Sequence, residues 1–367
     1  MALTWAQVLG WRVRRQLLDP VGTGSVVEVV ERLGSVPAWP DPAMELAVAT
    51  RRTGGRSGDA ARALADGAVV KAFTFRGGTH LMTPPDAGAY LAVRASSRMW
   101  ELSSWVDFYR LGPEDWPAFR DYVRTALADG PLTLSELTAA LGRSSRYRHL
   151  CSIIDGGNET LVKPLTWQGV MGLGPPRDGE ATFHRLDAVP GWSGLPDLDE
   201  AGPAVVAAYL HTYGPASAER VHAWVGKGLG ARRPAVSRWL GLLAARLESV
   251  DVEGDELLVL REDLDDVAGA SASTAVRLLP GRDPWVMAPG SSDTRVVPAG
   301  HRDVVSRTAN LVVAGGVLAG TWAVRGDRLE VGWFAESGRV PRTGLDAEAA
   351  RLSAFLDRPL ELRVSGA

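Results

Sequence analysis

Residues 214–260 read GPASAERVHAWVGKGLGARRPAVSRWLGLLAARLESVDVEGDELLVL, and their reading decides the fold. Ser217 stands where a hydroxyl accepts from a free N–H in the first turn of an amphipathic helix. Arg232 and Arg233 lead to Pro234, which opens a second helix with Val236, Leu240, Leu243 and Leu247 on one face. Leu247 to Val252 and Glu256 to Leu260 then flank Glu253-Gly254-Asp255, a hairpin turn. Helix, helix, hairpin is the order of a winged helix.

Working outward, Gly130-Pro131-Leu132-Thr133 repeats the opening of that stretch, and Glu136 completes a capping box with Thr133. Arg143, Arg146 and Arg148 follow the first copy as Arg232, Arg233 and Arg238 follow the second. The period exceeds that of solenoid repeats, which points to duplicated domains. The N-terminal segment has the same texture. Trp5, Val8, Leu9, Val13 and Leu17 recur at helical spacing. Ser25 and Glu28 form a second capping box before Val26, Val29, Val30 and Leu33. Asp41-Pro42 has the order N-cap then first helical residue, opening a helix through Met44, Leu46 and Val48. Val69–Phe75 and Thr79–Met82, around Gly77-Gly78, read as a hairpin. From Val276 the chain turns strand-rich, with strands at 311–314, 317–322 and 329–334. A helix carrying Ala347, Leu352 and Phe355 closes it.

The chain has 367 residues and a net charge of −3, which alone argues weakly against nucleic acid. Yet only three of its 40 basic residues are lysine (Lys71, Lys163, Lys227). Arginine forks suit phosphate, though a GC-rich coding sequence explains such an excess equally well. Arg12, Arg14 and Arg15 lie within about one helical turn and are expected to face phosphate or solvent. Cys151 is the sole cysteine, which excludes an internal disulfide and a cysteine-based zinc site. The histidines show no metal-ligand spacing, and no phosphate-binding glycine loop is present. No apolar run is long enough for a membrane span, and no signal peptide is read at the start. A cytoplasmic protein is the expectation.

Four stretches, in order, resemble the AlkZ-like family of bacterial winged-helix DNA glycosylases. They are Phe75-Arg76-Gly77-Gly78-Thr79-His80-Leu81, then Tyr209–Ser217 with Trp224-Val225-Gly226. Val276–Val286 follows, close to the family's Leu-Leu-Pro-Gly-Phe-Asp-Pro element, and last is Gly320-Thr321-Trp322. The resemblance implies an α+β, mainly α fold. Three tandem winged-helix modules (1–120, 121–195 and 196–275) curve around duplex DNA, with a C-terminal α+β element (276–367). It implies a monomer that excises bulky N-alkylated purines from duplex DNA, including adducts made by antibiotics, so that self-protection of a producer is one role.

The family's Gln-x-Gln or Gln-x-Asp motif falls on Trp39-Pro40-Asp41, counted back from Glu45-Leu46-Ala47. The resemblance thus makes Asp41 the catalytic carboxylate and sets Trp39 where a glutamine is expected. A cationic N3- or N7-alkylpurine leaves as a neutral base. One carboxylate then suffices to stabilise an oxocarbenium-like sugar and activate water, with no cofactor or metal. Trp39 could stack on DNA or on a bulky adduct; its alternative is a core aromatic pinning the loop. Asp41 could be a helix cap alone. Arg76 and His80 are candidate DNA contacts; a surface ion pair and a satisfied polar residue are their alternatives. Arg146, Arg148, Arg233 and Arg238 sit where a DNA-reading helix belongs. The Gln-to-Trp departure leaves open a non-catalytic binder of damaged DNA. Tandem winged helices serve transcription regulators too.

Overall fold

The structure is a computed structural model that describes residues 2–156 and 159–366. Strand β1 (Ala2–Leu3) leads into helix Trp5–Arg15, capped by a Thr4–Gln7 capping box. Helix Val26–Leu33 follows, with Ser25 accepting from Glu28 N–H. Next come β2 (Val36–Pro37), helices Asp41–Ala49 and Asp59–Ala65, and the hairpin of β3 (Val70–Phe73) and β4 (Thr79–Met82). The same order recurs after helix Trp116–Ala126: β5 (Leu132–Thr133), helices Leu134–Gly142 and His149–Asp155, then β6 (Met171–Arg177) and β7 (Glu180–Arg185). Thr133 and Glu136 make the capping box that their spacing calls for. A third time, helix Leu198–Tyr213 is followed by an extended residue, Ala216, bridged to Leu258. Helices then fill residues 218–229 and Arg233–Leu242, before the hairpin of β8 (Leu247–Val252) and β9 (Asp255–Leu260). Glu253 and Gly254 both take positive φ (52° and 92°), as a two-residue turn between twisted strands requires.

The first two hairpins merge into one sheet of order β2-β4-β3-β6-β7-β5, joined where Lys71 on β3 pairs with Leu173 on β6. The third hairpin takes β1 as a parallel neighbour. The C-terminal strands β10 (Val276–Leu279), β11 (Asn310–Ala314), β12 (Val317–Arg325) and β13 (Arg328–Trp333) form an antiparallel sheet, covered by helix Arg342–Phe355. That helix does not close the chain: β14 (Glu361–Ser365) follows it and pairs parallel to β13. Its short alternating pattern, with Leu362 and Val364 on one side, is too brief to stand out in sequence. Among the described residues no helix is long and apolar enough to cross a membrane.

Two further expectations change. Arg12 does not face phosphate or solvent. It is buried, its guanidinium donating to Gly214 O (3.1 Å) and Pro215 O (2.9 Å) beside the buried Asp293. The N-terminal helix therefore serves as a brace: Trp5, Val8 and Trp11 pack on the third hairpin, Leu9 and Val13 on the C-terminal part. Asp41 is not an N-cap. Pro40 holds that place, Asp41 is the first helical residue, and its side chain makes no cap hydrogen bond.

The C-terminal part is locked to helix Asp41–Ala49 by one wholly buried ion pair. Arg51, just past that helix, donates through Nη1 and Nη2 to Asp283 (2.9 and 2.7 Å), and neither side chain has solvent exposure. Nη1 also caps the helix at Ala47 O (2.8 Å), and Asp283 accepts from Trp285 N–H (2.9 Å). Removing one partner strands a buried charge, which costs far more than removing both. Asp283→Asn is expected to lower unfolding stability by about 3–5 kcal/mol in urea titrations. The Arg51→Met/Asp283→Leu double variant is expected to lose clearly less.

Candidate active site

Trp39 is suspended between two fixed ends. On one side, Pro37 pairs with His80 across β2 and β4, and the pairing continues one residue further. Ala38 N–H donates to Thr79 O (2.8 Å), and the Thr79 hydroxyl donates to Ala38 O (3.1 Å). On the other side the helix from Asp41 begins at once. Glu45, inside that helix, accepts from Ala60 N–H (3.0 Å) and Ala61 N–H (2.7 Å), capping the next helix. A buried carboxylate on two free amides explains why a glutamate belongs there.

The loop opens on a cavity of about 590 Å³. Its walls are Trp39, Phe73, Phe75, His80, Tyr213 and Trp224, with Arg76 and Arg282 also exposed to it. Residues from all three hairpin-bearing stretches and from the C-terminal element thus converge. Trp39 is 63% exposed, so it is a wall and not a core aromatic. The Arg282 guanidinium sits over its ring, 5.0 Å from the centroid. Behind the inner wall is a cluster of tilted aromatic rings: the Phe75 centroid lies 4.3 Å from that of Trp224, which lies 5.0 Å from that of Tyr209. Gly228 allows this approach, because a Cβ there would come within 2.9 Å of the Phe75 ring. The helix over 218–229 also widens to a π turn at His222–Gly226, around Trp224.

His80 is half-buried in the wall. Its Nδ1 donates to Gly78 O (3.2 Å), and its ring meets Phe75 edge-on at 5.1 Å. Desolvation outweighs that hydrogen bond and pushes its pKa down to about 4, so the ring is neutral near pH 7. Arg76 makes no ion pair or side-chain hydrogen bond with a described residue. Its backbone is left-handed (φ 53°).

Asp41 is not among the residues lining the cavity. It sits two residues from Trp39, and its Oδ1 accepts from Lys71 Nζ at 2.6 Å. Lys71 is 9% exposed and Asp41 45%, so the ammonium is fixed from inside while the carboxylate faces outward. Sequence reasoning missed Lys71 and Arg282. A lone lysine in a β-strand gives no local signal, and its partner lies 30 residues away. Arg146, Arg233 and Arg238 are exposed and paired with Asp115, Glu219 and Asp199; none of them, nor Arg148, lines the cavity.

The sequence profile described as DNA glycosylase AlkZ-like matches residues 30–355. The chain belongs to the AlkZ-like DNA glycosylase family. Within it, the chain is 33% identical over 359 residues to an interstrand DNA cross-link repair glycosylase of Streptomyces sahachiroi, covering 96% of both. The solved structure of the DNA glycosylase AlkZ from that organism superposes with a TM-score of 0.93 at 32% identity, covering 100% of each chain. The family resemblance read from sequence is thus secured, and the mixed helix-and-sheet fold is that of AlkZ.

The depressed His80 pKa has a measurable sign. Between about pH 6.5 and 4 the unfolded chain takes a proton that the folded chain refuses, so stability present above that window falls as pH drops through it. In an NMR titration the His80 ring signals are expected to stay flat from pH 8 to about 5.5 and to move near pH 4. His80→Gln is expected to lessen the loss of stability over that window.

Proposed function

We propose that this chain is a monofunctional DNA glycosylase that hydrolyses the N-glycosidic bond of bulky N-alkylated purines in duplex DNA. The observation that carries the reading is the aromatic cavity, walled by Trp39, with the Asp41–Lys71 pair beside it. About 590 Å³ is within the usual range for small-molecule sites and exceeds what a bare base fills. A flipped, alkylated base would enter between Trp39 and the Tyr213–Trp224 wall.

In the reaction, water attacks C1′ as the C1′–N bond breaks. The bonding pair goes to the base and cancels its positive charge, and Asp41 takes the proton from the water. The same carboxylate stabilises the oxocarbenium-like sugar as charge develops on it. Lys71 holds one oxygen of Asp41 and leaves the other to the water, a positioning task that a glutamine at position 39 does not perform here. Neutral His80 adds no positive charge of its own to a wall that already carries Arg76 and Arg282.

Each helix–strand–helix–helix–hairpin stretch is read as a winged-helix module, three in all, with units 1–120, 121–195, 196–275 and 276–367. Arg146, Arg233 and Arg238 would exchange their carboxylates for backbone phosphates of duplex DNA, and Arg148 would join them there. The relatives' printed activities, DNA glycosylase and cross-link repair, support that partner. The chain would act as a cytoplasmic monomer, with self-protection against a DNA-alkylating antibiotic as one role. Trp39 in the glutamine's place favours one second reading, a binder of damaged DNA without catalysis.

Duplex carrying a single N7-alkylguanine separates the two. Wild type is expected to release the free adducted base, detected by mass spectrometry against a no-protein control. Asp41→Asn is expected to slow single-turnover release roughly 10²–10⁴-fold while binding is kept. Binding with no release across several cationic adducts would establish the binder instead.

A further inference from the structure

A second cavity, of about 430 Å³, opens beside the first and shares Arg76, Arg282 and Met287 with it. Its chemistry differs. The first is walled by aromatic rings, whereas the second is lined by the two arginines and by the hydroxyl-bearing Ser291, Ser292, Ser306 and Thr308, with Val286, Met287 and Val305; of the hydroxyls, that of Ser306 already donates to Arg302 O (3.0 Å). Among the described residues no carboxylate lines either cavity.

The two arginines are kept unneutralised. Arg76 and Arg282 have no ion pair among the described residues, while Arg146, Arg233 and Arg238 are each paired. The carboxylate next in sequence to Arg282 is Asp283, and it is committed to Arg51 inside the core. Trp39 faces the Arg282 guanidinium with a ring, which orients the cation without cancelling its charge. Both arginines also adopt left-handed backbone (φ 53° and 66°), a conformation that side-chain-bearing residues rarely take. Strain of this kind is held in place where a side chain must be aimed.

We infer that Arg76 and Arg282, with these hydroxyls, form a phosphodiester site that grips the DNA backbone beside the nucleotide whose base occupies the aromatic cavity. The ligand class follows from the donors. Guanidinium forks and hydroxyls with no acidic residue fit a tetrahedral oxyanion. A nucleotide places base and phosphate one sugar apart, which matches two cavities with a shared wall. The site rests on the DNA reading above but not on catalysis.

The test is a methylphosphonate scan. Duplexes carry a tetrahydrofuran abasic analogue, which no glycosylase can cleave at a glycosidic bond. One flanking phosphate at a time is made uncharged. Affinity is read by fluorescence anisotropy for wild type, Arg282→Asn and Arg76→Asn, asparagine being tolerant of left-handed backbone. One position is expected to weaken wild type about tenfold. It is also expected to lower the magnitude of the salt slope by roughly 0.9, one phosphate contact. Arg282→Asn is expected to lose a similar factor on the fully charged duplex and to be indifferent to that methylphosphonate. Equal losses in wild type and variants at every position, or no sensitive position in wild type, would overturn the site. If one variant misfolds in a thermal melt, the other and the wild-type scan still decide. Failure of wild type to bind any duplex overturns the DNA reading as well. Binding with a sensitive phosphate but no base release elsewhere removes only catalysis.

Discussion

The Arg51–Asp283 pair sets the geometry on which the rest of this molecule depends. It ties the end of the helix that starts at Asp41 to the turn that carries Arg282. Both charges are fully desolvated, so the pair tolerates little displacement. A second buried knot, Asp293 between Arg12 and Arg220, joins the same C-terminal element to the N-terminal helix and the third helical stretch. Both knots anchor the C-terminal element, which gives Arg282, Pro284, Met287 and Ala288 to the cavity lining. Its walls come from parts of the chain far apart in sequence, and these ion pairs are among the contacts that join them.

That arrangement explains what could be read from residues alone. Caps and hairpins are local. Thr133 with Glu136, Ser217 before its helix, and Glu253-Gly254 between two alternating runs each declare themselves within a few positions, and each forms. Trp39, Arg76 and His80 were legible as a group because their motifs could be matched, and all three line the cavity. What escaped was long-range. Lys71 meets Asp41 only because β3 runs beside the start of that helix, and Arg282 reaches Trp39 across most of the chain. Arg12 looked like one of three surface arginines. Only the fold shows that it is enclosed by the Gly214-Pro215 turn.

The departure at position 39 changes the site without emptying it. A glutamine would offer an amide; Trp39 offers a large exposed ring with a guanidinium over it. Lys71 grips the carboxylate two residues on. The ring adds to the apolar wall, a change that under the proposed function would suit a wide aromatic adduct more than a small methyl group. Under the proposed function, recognition and chemistry would be divided between neighbours: the ring would read the lesion and the carboxylate would act on its sugar.

The central claim is that the damaged base leaves the duplex and lodges against Trp39. A structure of the Asp41→Asn variant bound to duplex carrying one stable, bulky alkylpurine tests it most directly. The account predicts the adducted base outside the helix, between Trp39 and the Tyr213–Trp224 wall, with its C1′ facing residue 41. A base still stacked in the duplex, with the aromatic cavity empty, would contradict it.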